Sequence, residues 1–206
     1  MTLSQPLSLV QPALDTFDEK INFVIENFKG IFLNRDNRPS FGGQEIYFEM
    51  SREVRGMLHP YPEKLMHILS LEGKNEVEIL PCNNDEASMI CANQCNFRMA
   101  NRDFHFIQRQ DCFYRMSRVH WIPEIINLAN SGSLDIKIWV EEERNKRGKK
   151  IKKTFLRYQK GLTDYVIILT HRYRDGKFLN YIFETAFPVF YQRTKKQFDK
   201  NYMDNT

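Results

Sequence analysis

Residues 163–189 read TDYVIILTHRYRDGKFLNYIFETAFPV, and this stretch decides the fold. Two β-rich runs, Thr163–Arg172 and Lys177–Val189, flank Asp175-Gly176, a pair that accepts the positive φ a tight hairpin turn requires. The first run is apolar on both of its faces and predicts a central strand. Working toward the N-terminus, the turn-like separators QKGL and NKRGKK set off two further strand-like runs, Ile151–Gln159 and Leu134–Glu142. Ahead of them, Arg118 to Ala129 carries Trp121, Ile122, Ile125, Ile126 and Ala129 as an apolar stripe. Pro123 falls in its first turn and Asn130-Ser-Gly follows it, which predicts a helix. The C-terminal half therefore reads as one helix followed by an antiparallel meander of four strands.

The front half is less regular. Leu14, Phe17, Ile21, Ile25 and Phe28 recur three or four residues apart and predict an amphipathic helix closing near Gly30. Residues 34–44 combine Asn, Pro and Gly and read as a loop. EIYFEM suits a short strand or a helix start, Ser51–Leu58 looks helical, and Pro60 and Pro62 break the chain. A helix over Glu63–Leu71 and a strand over Glu76–Leu80 follow, and the polar, Asn- and Cys-containing segment up to residue 100 has no periodicity to assign. The expected class is α+β, with a mainly helical N-terminal region over 1–112 and a helix plus four-stranded antiparallel sheet over 113–206.

Charge divides the chain at the same place. The 206 residues carry a net +4, but residues 1–112 hold 11 Lys+Arg against 16 Asp+Glu and residues 113–206 hold 19 against 10, so the two parts carry −5 and +9. A basic domain of this kind favours a polyanionic partner, above all nucleic acid. No apolar run reaches the roughly 20 residues needed to cross a bilayer. MTLSQPLSLVQPALDTFDEK also lacks a basic segment leading into an apolar core, so a cytoplasmic protein without membrane partners is expected. Cys82, Cys91, Cys95 and Cys112 are then expected as reduced thiols. Cys91 and Cys95 with His105 could form part of a zinc site, but only one close Cys pair exists where structural zinc sites use two, so no metal or other cofactor is expected. No Walker loop, dinucleotide fingerprint, zinc-protease pair or nucleophile elbow is present.

The turn RNKRGKKIKK places Arg144, Lys146, Arg147, Lys149, Lys150, Lys152 and Lys153 within ten residues at a hairpin tip. Such a tip suits phosphate contacts along a nucleic acid, each cation releasing counterions, or is merely a solvated charge-rich turn. Metal-free chemistry on a phosphate needs a proton acceptor, a proton donor and cations around the phosphoryl oxygens. The basic half supplies Arg118, His120, Arg157, Tyr158, His171, Arg172, Glu184, Thr185, Tyr191 and Arg193. Each has an ordinary alternative: a surface cation for Arg118 and Arg172, a packed ring for His120 beside Trp121, a satisfied strand-end group for His171. Strict alternation puts Tyr165, Ile167, Leu169 and His171 on one face of their strand. On the next strand it groups Leu179, Tyr181, Phe183 and Thr185 against Phe178, Asn180, Ile182 and Glu184.

Four pieces, Arg118-Val-His-Trp-Ile-Pro-Glu-Ile, Phe155-Leu-Arg157-Tyr158, Tyr165-Val-Ile-Ile-Leu and Phe183-Glu-Thr185-Ala-Phe-Pro-Val, resemble the phage-associated nucleases of the barnase, EndoU, colicin and RelE-like ribonuclease superfamily over roughly residues 115–193. The order of Trp, Ile and Pro differs from the family pattern, and Phe187 stands where a Tyr is usual. The resemblance implies metal-independent RNA cleavage by attack of the ribose 2′-hydroxyl, leaving a 2′,3′-cyclic phosphate. It places Arg118, Arg157 and Thr185 at matching positions. Arg157 would stabilise the charged transition state, Thr185 would position the phosphate, and His120 or His171 would transfer the proton. It further implies RNA, with tRNA as one candidate, as substrate, and a toxin- or effector-like role. An immunity or antitoxin protein would be a partner, and the acidic front half a delivery, assembly or self-inhibiting element. A nucleic-acid-binding or phage interaction protein that keeps the fold without the chemistry is the competing expectation.

Overall fold

The computed structural model describes residues 3–8, 16–54, 56–58, 61–72, 101–104, 107–145, 148–189 and 191–206. The expected strand at Glu76–Leu80, the cysteines Cys82, Cys91 and Cys95, His105, and the hairpin cations Lys146 and Arg147 lie outside the described residues. The protein is α+β. Its chain divides into two compact units, one formed by Met1–Leu3, Ile31–Glu49 and Trp121–Thr206, the other by Ser4–Gly30 and Met50–His120.

The first unit is built on a mixed six-stranded sheet. Strands β1 (Ser40–Phe41), β2 (Gln44–Tyr47), β8 (Ile136–Arg144), β9 (Lys150–Lys160), β10 (Thr163–Arg174) and β11 (Lys177–Pro188) are ordered β1-β2-β11-β10-β9-β8. The four-strand meander is present, with β10 interior as its two-sided apolar run requires, but the sheet has six strands rather than four. β2 adds to the edge of β11 in parallel, through Tyr181 opposite Ile46 and Ile182 opposite Tyr47. β2 forms where EIYFEM suits a short strand or a helix start, whereas the two residues of β1 are too few to display a period of two and lie in the stretch that reads as a loop. Asn130, at the end of the helix Trp121–Asn130, fastens them: its amide donates to Ser40 O at 2.7 Å and its carbonyl accepts from Gly42 N at 3.0 Å.

Each face of the sheet carries a helix, and antiparallel partners share a face. The helix Trp121–Asn130 contacts β8 and β9, and Trp121 meets the ring of Tyr165 edge-on at 6.0 Å. The C-terminal helix Gln192–Asp204 covers the other face. There Trp139 stacks on Phe155 at 4.8 Å and 11°, with Phe198 and Tyr202 from the helix closing over them and Val166 and Val189 beneath.

The second unit holds most of α1 (Phe17–Phe32), with Ile21, Ile25 and Phe28 buried as the spacing predicts and Val24 buried beside them. It also holds α2 (Glu63–Leu69), the short helix α3 (Phe113–Met116), a hairpin of β3 (Glu53–Val54) and β4 (Met57–Leu58), and a three-stranded sheet ordered β5 (Ser70–Glu72), β7 (Ile107–Asp111), β6 (Asn101–Phe104). The helices Trp121–Asn130 and Gln192–Asp204 of the first unit are α4 and α5. The expected helix at Ser51–Leu58 is instead the β3–β4 hairpin, turned at Gly56 with φ +78°, a left-handed conformation that a helix does not continue through. Among the described residues up to 112, helices alternate with short strands, in place of the expected mainly helical region. No helix among the described residues is long and apolar enough to cross a membrane.

Candidate functional site

Two register shifts on β11 determine which side chains meet. Between Ile168 and Leu169 the pairing moves from Thr185 to Phe183, leaving Glu184 as an extra residue. Between Arg172 and Tyr173 it moves from Asn180 to Phe178, leaving Leu179 extra. The alternation expected for β11 therefore fails twice. Thr185 pairs with Ile168 and joins the face under α5, opposite to Tyr181 and Phe183, while Phe178 pairs with Tyr173 and joins Tyr181 on the α4 face.

The result on the α4 face, toward the β10–β11 turn, is a cluster around His171. Its Nε2 lies 2.7 Å from the hydroxyl of Thr154, a buried residue on β9, and its Nδ1 lies 3.4 Å from the Tyr173 hydroxyl. The His171 ring centroid is 5.2 Å from Tyr181 and 5.4 Å from Phe178. Rings continue the surface on both sides, Tyr173 to Phe178 at 5.9 Å, Phe178 to Tyr181 at 5.0 Å, and Tyr181 to Phe41 of β1 at 5.6 Å. Tyr173 is 46% exposed and Phe178 38%. Partial burial, reinforced by the nearby cation of Lys152, pulls the His171 imidazole below its ordinary value. Burial likewise pushes the Tyr181 phenol up, against an opposing hydrogen bond from Thr154.

The same register brings the two basic turns to one end of the sheet. Arg144 pairs with Lys150, Lys153 with Thr170, and Arg174 with Lys177, so the β8–β9 and β10–β11 tips stand side by side. Arg144, Lys149, Lys150, Lys152, Arg172, Arg174 and Lys177 are exposed there. Part of the charge is compensated: Lys150 pairs with Glu142 at 2.6 Å, Lys153 with Glu143 at 2.5 Å, and Arg144 donates to Gly148 O at 2.8 Å. Arg193 sits elsewhere, near the start of α5, where it lines an open surface with Gln192, Lys196, Gln197 and Lys200.

The remaining sequence candidates fall into separate environments. Arg157 is wholly buried on the α5 face. Its Nε and Nη2 grip both Asp164 carboxylate oxygens at 2.8 and 2.7 Å, and its Nη1 donates to Asp199 of α5 at 3.1 Å. Thr185 shares that face two strands away, whereas His171 projects from the opposite face. Arg118 and His120 belong to the other compact unit. There the Arg118 guanidinium is buried over the Tyr114 ring at 3.4 Å and donates to Tyr114 O and Ser117 Oγ, and His120 Nε2 meets Gln5 O at 3.0 Å. Arg157, Thr185 and His171 therefore do not converge on one cleft.

Sequence reasoning missed Thr154, Tyr173, Phe178 and Tyr181 as partners of His171. The available signal was the concentration of aromatic residues around Asp175-Gly176, which a hairpin brings face to face. Among the described residues no cluster of His, Cys, Asp and Glu could hold a metal ion, and Cys112 is a buried thiol. No protein family, curated protein or solved structure matches the chain.

Proposed function

We propose that this protein binds nucleic acid through the hairpin end of its six-stranded sheet. The observation that carries the reading is the convergence of two basic turns at that end, beside an exposed aromatic face. Cations spread across neighbouring strand tips can engage successive phosphates and displace their counterions. Salt bridges to Glu142 and Glu143 hold Lys150 and Lys153 in place while leaving the strand tips net positive. The test is affinity for nucleic acid against salt concentration. Wild type is expected to give a linear log–log plot. Lys149→Ala with Lys150→Ala and Lys152→Ala is expected to reduce the slope by about 2, since each phosphate neutralised by a cation contributes roughly 0.7–0.9. An unchanged slope would refute this location.

A second reading, metal-independent ribonuclease activity of the barnase and colicin type, is favoured by one observation: the His171 imidazole stands 2.7 Å from the hydroxyl of buried Thr154 and near the Lys152 cation, with burial lowering its affinity for a proton. Such a ring can take the proton from a ribose 2′-hydroxyl as that oxygen attacks the adjacent phosphorus. The P–O5′ bond breaks, the 5′ oxygen takes a proton from solvent, and a 2′,3′-cyclic phosphate remains. Lys152 is placed to offset charge on the non-bridging oxygens. In this reading Arg157 and Thr185 act through the α5 side of the sheet rather than on the phosphate. Cleavage of cellular RNA in excess chelator, with cyclic-phosphate ends lost in His171→Gln, supports it. Binding without cleavage leaves the binding function alone.

A further inference from the structure

The aromatic face around His171 has the makings of a base-stacking surface. Phe41, Tyr181, Phe178 and Tyr173 form an unbroken run of rings, each 5.0–5.9 Å from the next, drawn from three strands and carried toward the β10–β11 tip by the register shift at Leu179. Two of these neighbouring rings, Tyr173 and Phe178, stay 46% and 38% exposed and present one contiguous aromatic surface to solvent. The rim is cationic. Lys152 flanks His171, and by strand alternation Lys150 and its pairing partner Arg144 lie on the same face, Glu142 being engaged by Lys150 at 2.6 Å. Arg174 and Lys177 close the turn from the opposite face, where Arg174 lies 3.9 Å from Asp175.

We infer that this surface takes single-stranded nucleic acid, its bases lying on Tyr173 and Phe178 and its phosphates running along Lys152, Lys150 and Arg144, which share that face. The inference rests on the nucleic-acid reading above and narrows its substrate class. Cations alone do not distinguish a duplex from a single strand. Exposed rings do, because a duplex keeps the faces of its bases stacked on one another and a single strand offers them. Charge complementarity also favours a polyanion over an apolar protein segment, since the rings are bordered by lysine and arginine on the side where the strands end.

The experiment is fluorescence anisotropy with a labelled 12-nucleotide 2′-O-methyl RNA, which lacks the attacking hydroxyl, as a single strand and as a duplex with its complement. Wild type is expected to bind the single strand more tightly. Tyr173→Leu and Phe178→Leu keep apolar bulk but remove the π surface. Each is expected to weaken single-strand binding about tenfold, within the roughly 5- to 150-fold range for losing one base stack, and to leave duplex affinity and the salt slope unchanged. Phe178→Trp is expected to retain binding. Equal affinity for the two forms with no effect of either Leu variant would overturn the stacking proposal while leaving nucleic-acid binding intact. Absence of binding to either form at low salt would overturn nucleic-acid binding itself.

Discussion

Asp164→Ala is expected to cost the sheet unit about 3–5 kcal/mol, the loss typical of removing one partner from a buried ion pair. The magnitude follows from the burial of both groups: the Arg157 side chain is 0% exposed and that of Asp164 6%. The carboxylate takes two charge-assisted hydrogen bonds from the guanidinium and a third from Gln159 Nε2 at 3.2 Å. Without it the buried guanidinium is left with Asp199, 39% exposed, and the Lys195 carbonyl at 3.5 Å. Asp199→Ala removes two contacts of a solvent-screened carboxylate, to Arg157 and to Lys137 Nζ at 2.9 Å, while Arg157 keeps Asp164, and is expected to cost about 1 kcal/mol. Urea unfolding followed by tryptophan fluorescence reads the sheet unit selectively, because both tryptophans, Trp121 and Trp139, belong to it. With a slope of about 2 kcal/mol/M, the Asp164 variant should lose roughly 1.5–2.5 M in midpoint. Arg157→Met combined with Asp164→Leu should recover most of that loss, since no buried charge remains unpaired. A shift no larger for Asp164→Ala than for Asp199→Ala would refute the reasoning. The outcome also bears on enzymology: if Arg157 holds the sheet to α5, then Arg157→Ala will abolish any activity by unfolding, and the double variant Arg157→Met with Asp164→Leu, which keeps the fold without the guanidinium, separates a structural from a chemical role.

Two further predictions concern pH and the turn. Burial, with the nearby cations of Arg109, Lys64 and Arg115, lowers His67 to about 4 despite the opposing Glu63. Its unfolded value is about 6.5, so the unfolded chain binds the extra proton and the stability contributed by neutral His67 is complete above pH ~6.5 and lost as pH falls toward 4. The midpoint of urea unfolding by far-UV circular dichroism should therefore drop further between pH 7 and pH 5 in wild type than in His67→Gln, and equal drops would contradict the assignment. Gly176 sits at φ +76° beside Asp175 at φ +52° in the β10–β11 turn, so Gly176→Val should cost roughly 1–2 kcal/mol and lower the melting temperature, whereas a neutral effect would mean the turn relaxes.

Much of the fold was legible because its signals are local. The two-sided apolar run at Thr163–Leu169, the Asp-Gly turn, and the stripe from Trp121 to Ala129 each express a constraint between residues a few positions apart, and each became the element expected. The edge strand β1 lies in a stretch that reads as a loop, and although EIYFEM suits a short strand where β2 forms, the place of both beside β11 depends on Asn130, nearly ninety residues away.

The sequence by itself determined that a basic α+β half exists, with strands meeting at cation-rich turns and with His171 near the end of one of them. Which side chains share a face was decided only by the tertiary structure. Glu184 and Leu179 are extra residues whose insertion depends on how β11 pairs with β10, and each reverses the face of everything beyond it. Those two shifts carry Thr185 under α5 and Phe178 out to His171, separating the residues grouped by alternation and assembling others that no spacing connects. Arg157 shows the same limit. An arginine on a strand can meet a phosphate or a carboxylate with equal geometric ease, and only the packing of α5, which brings Asp199 to a guanidinium already held by Asp164, settles which partner it has.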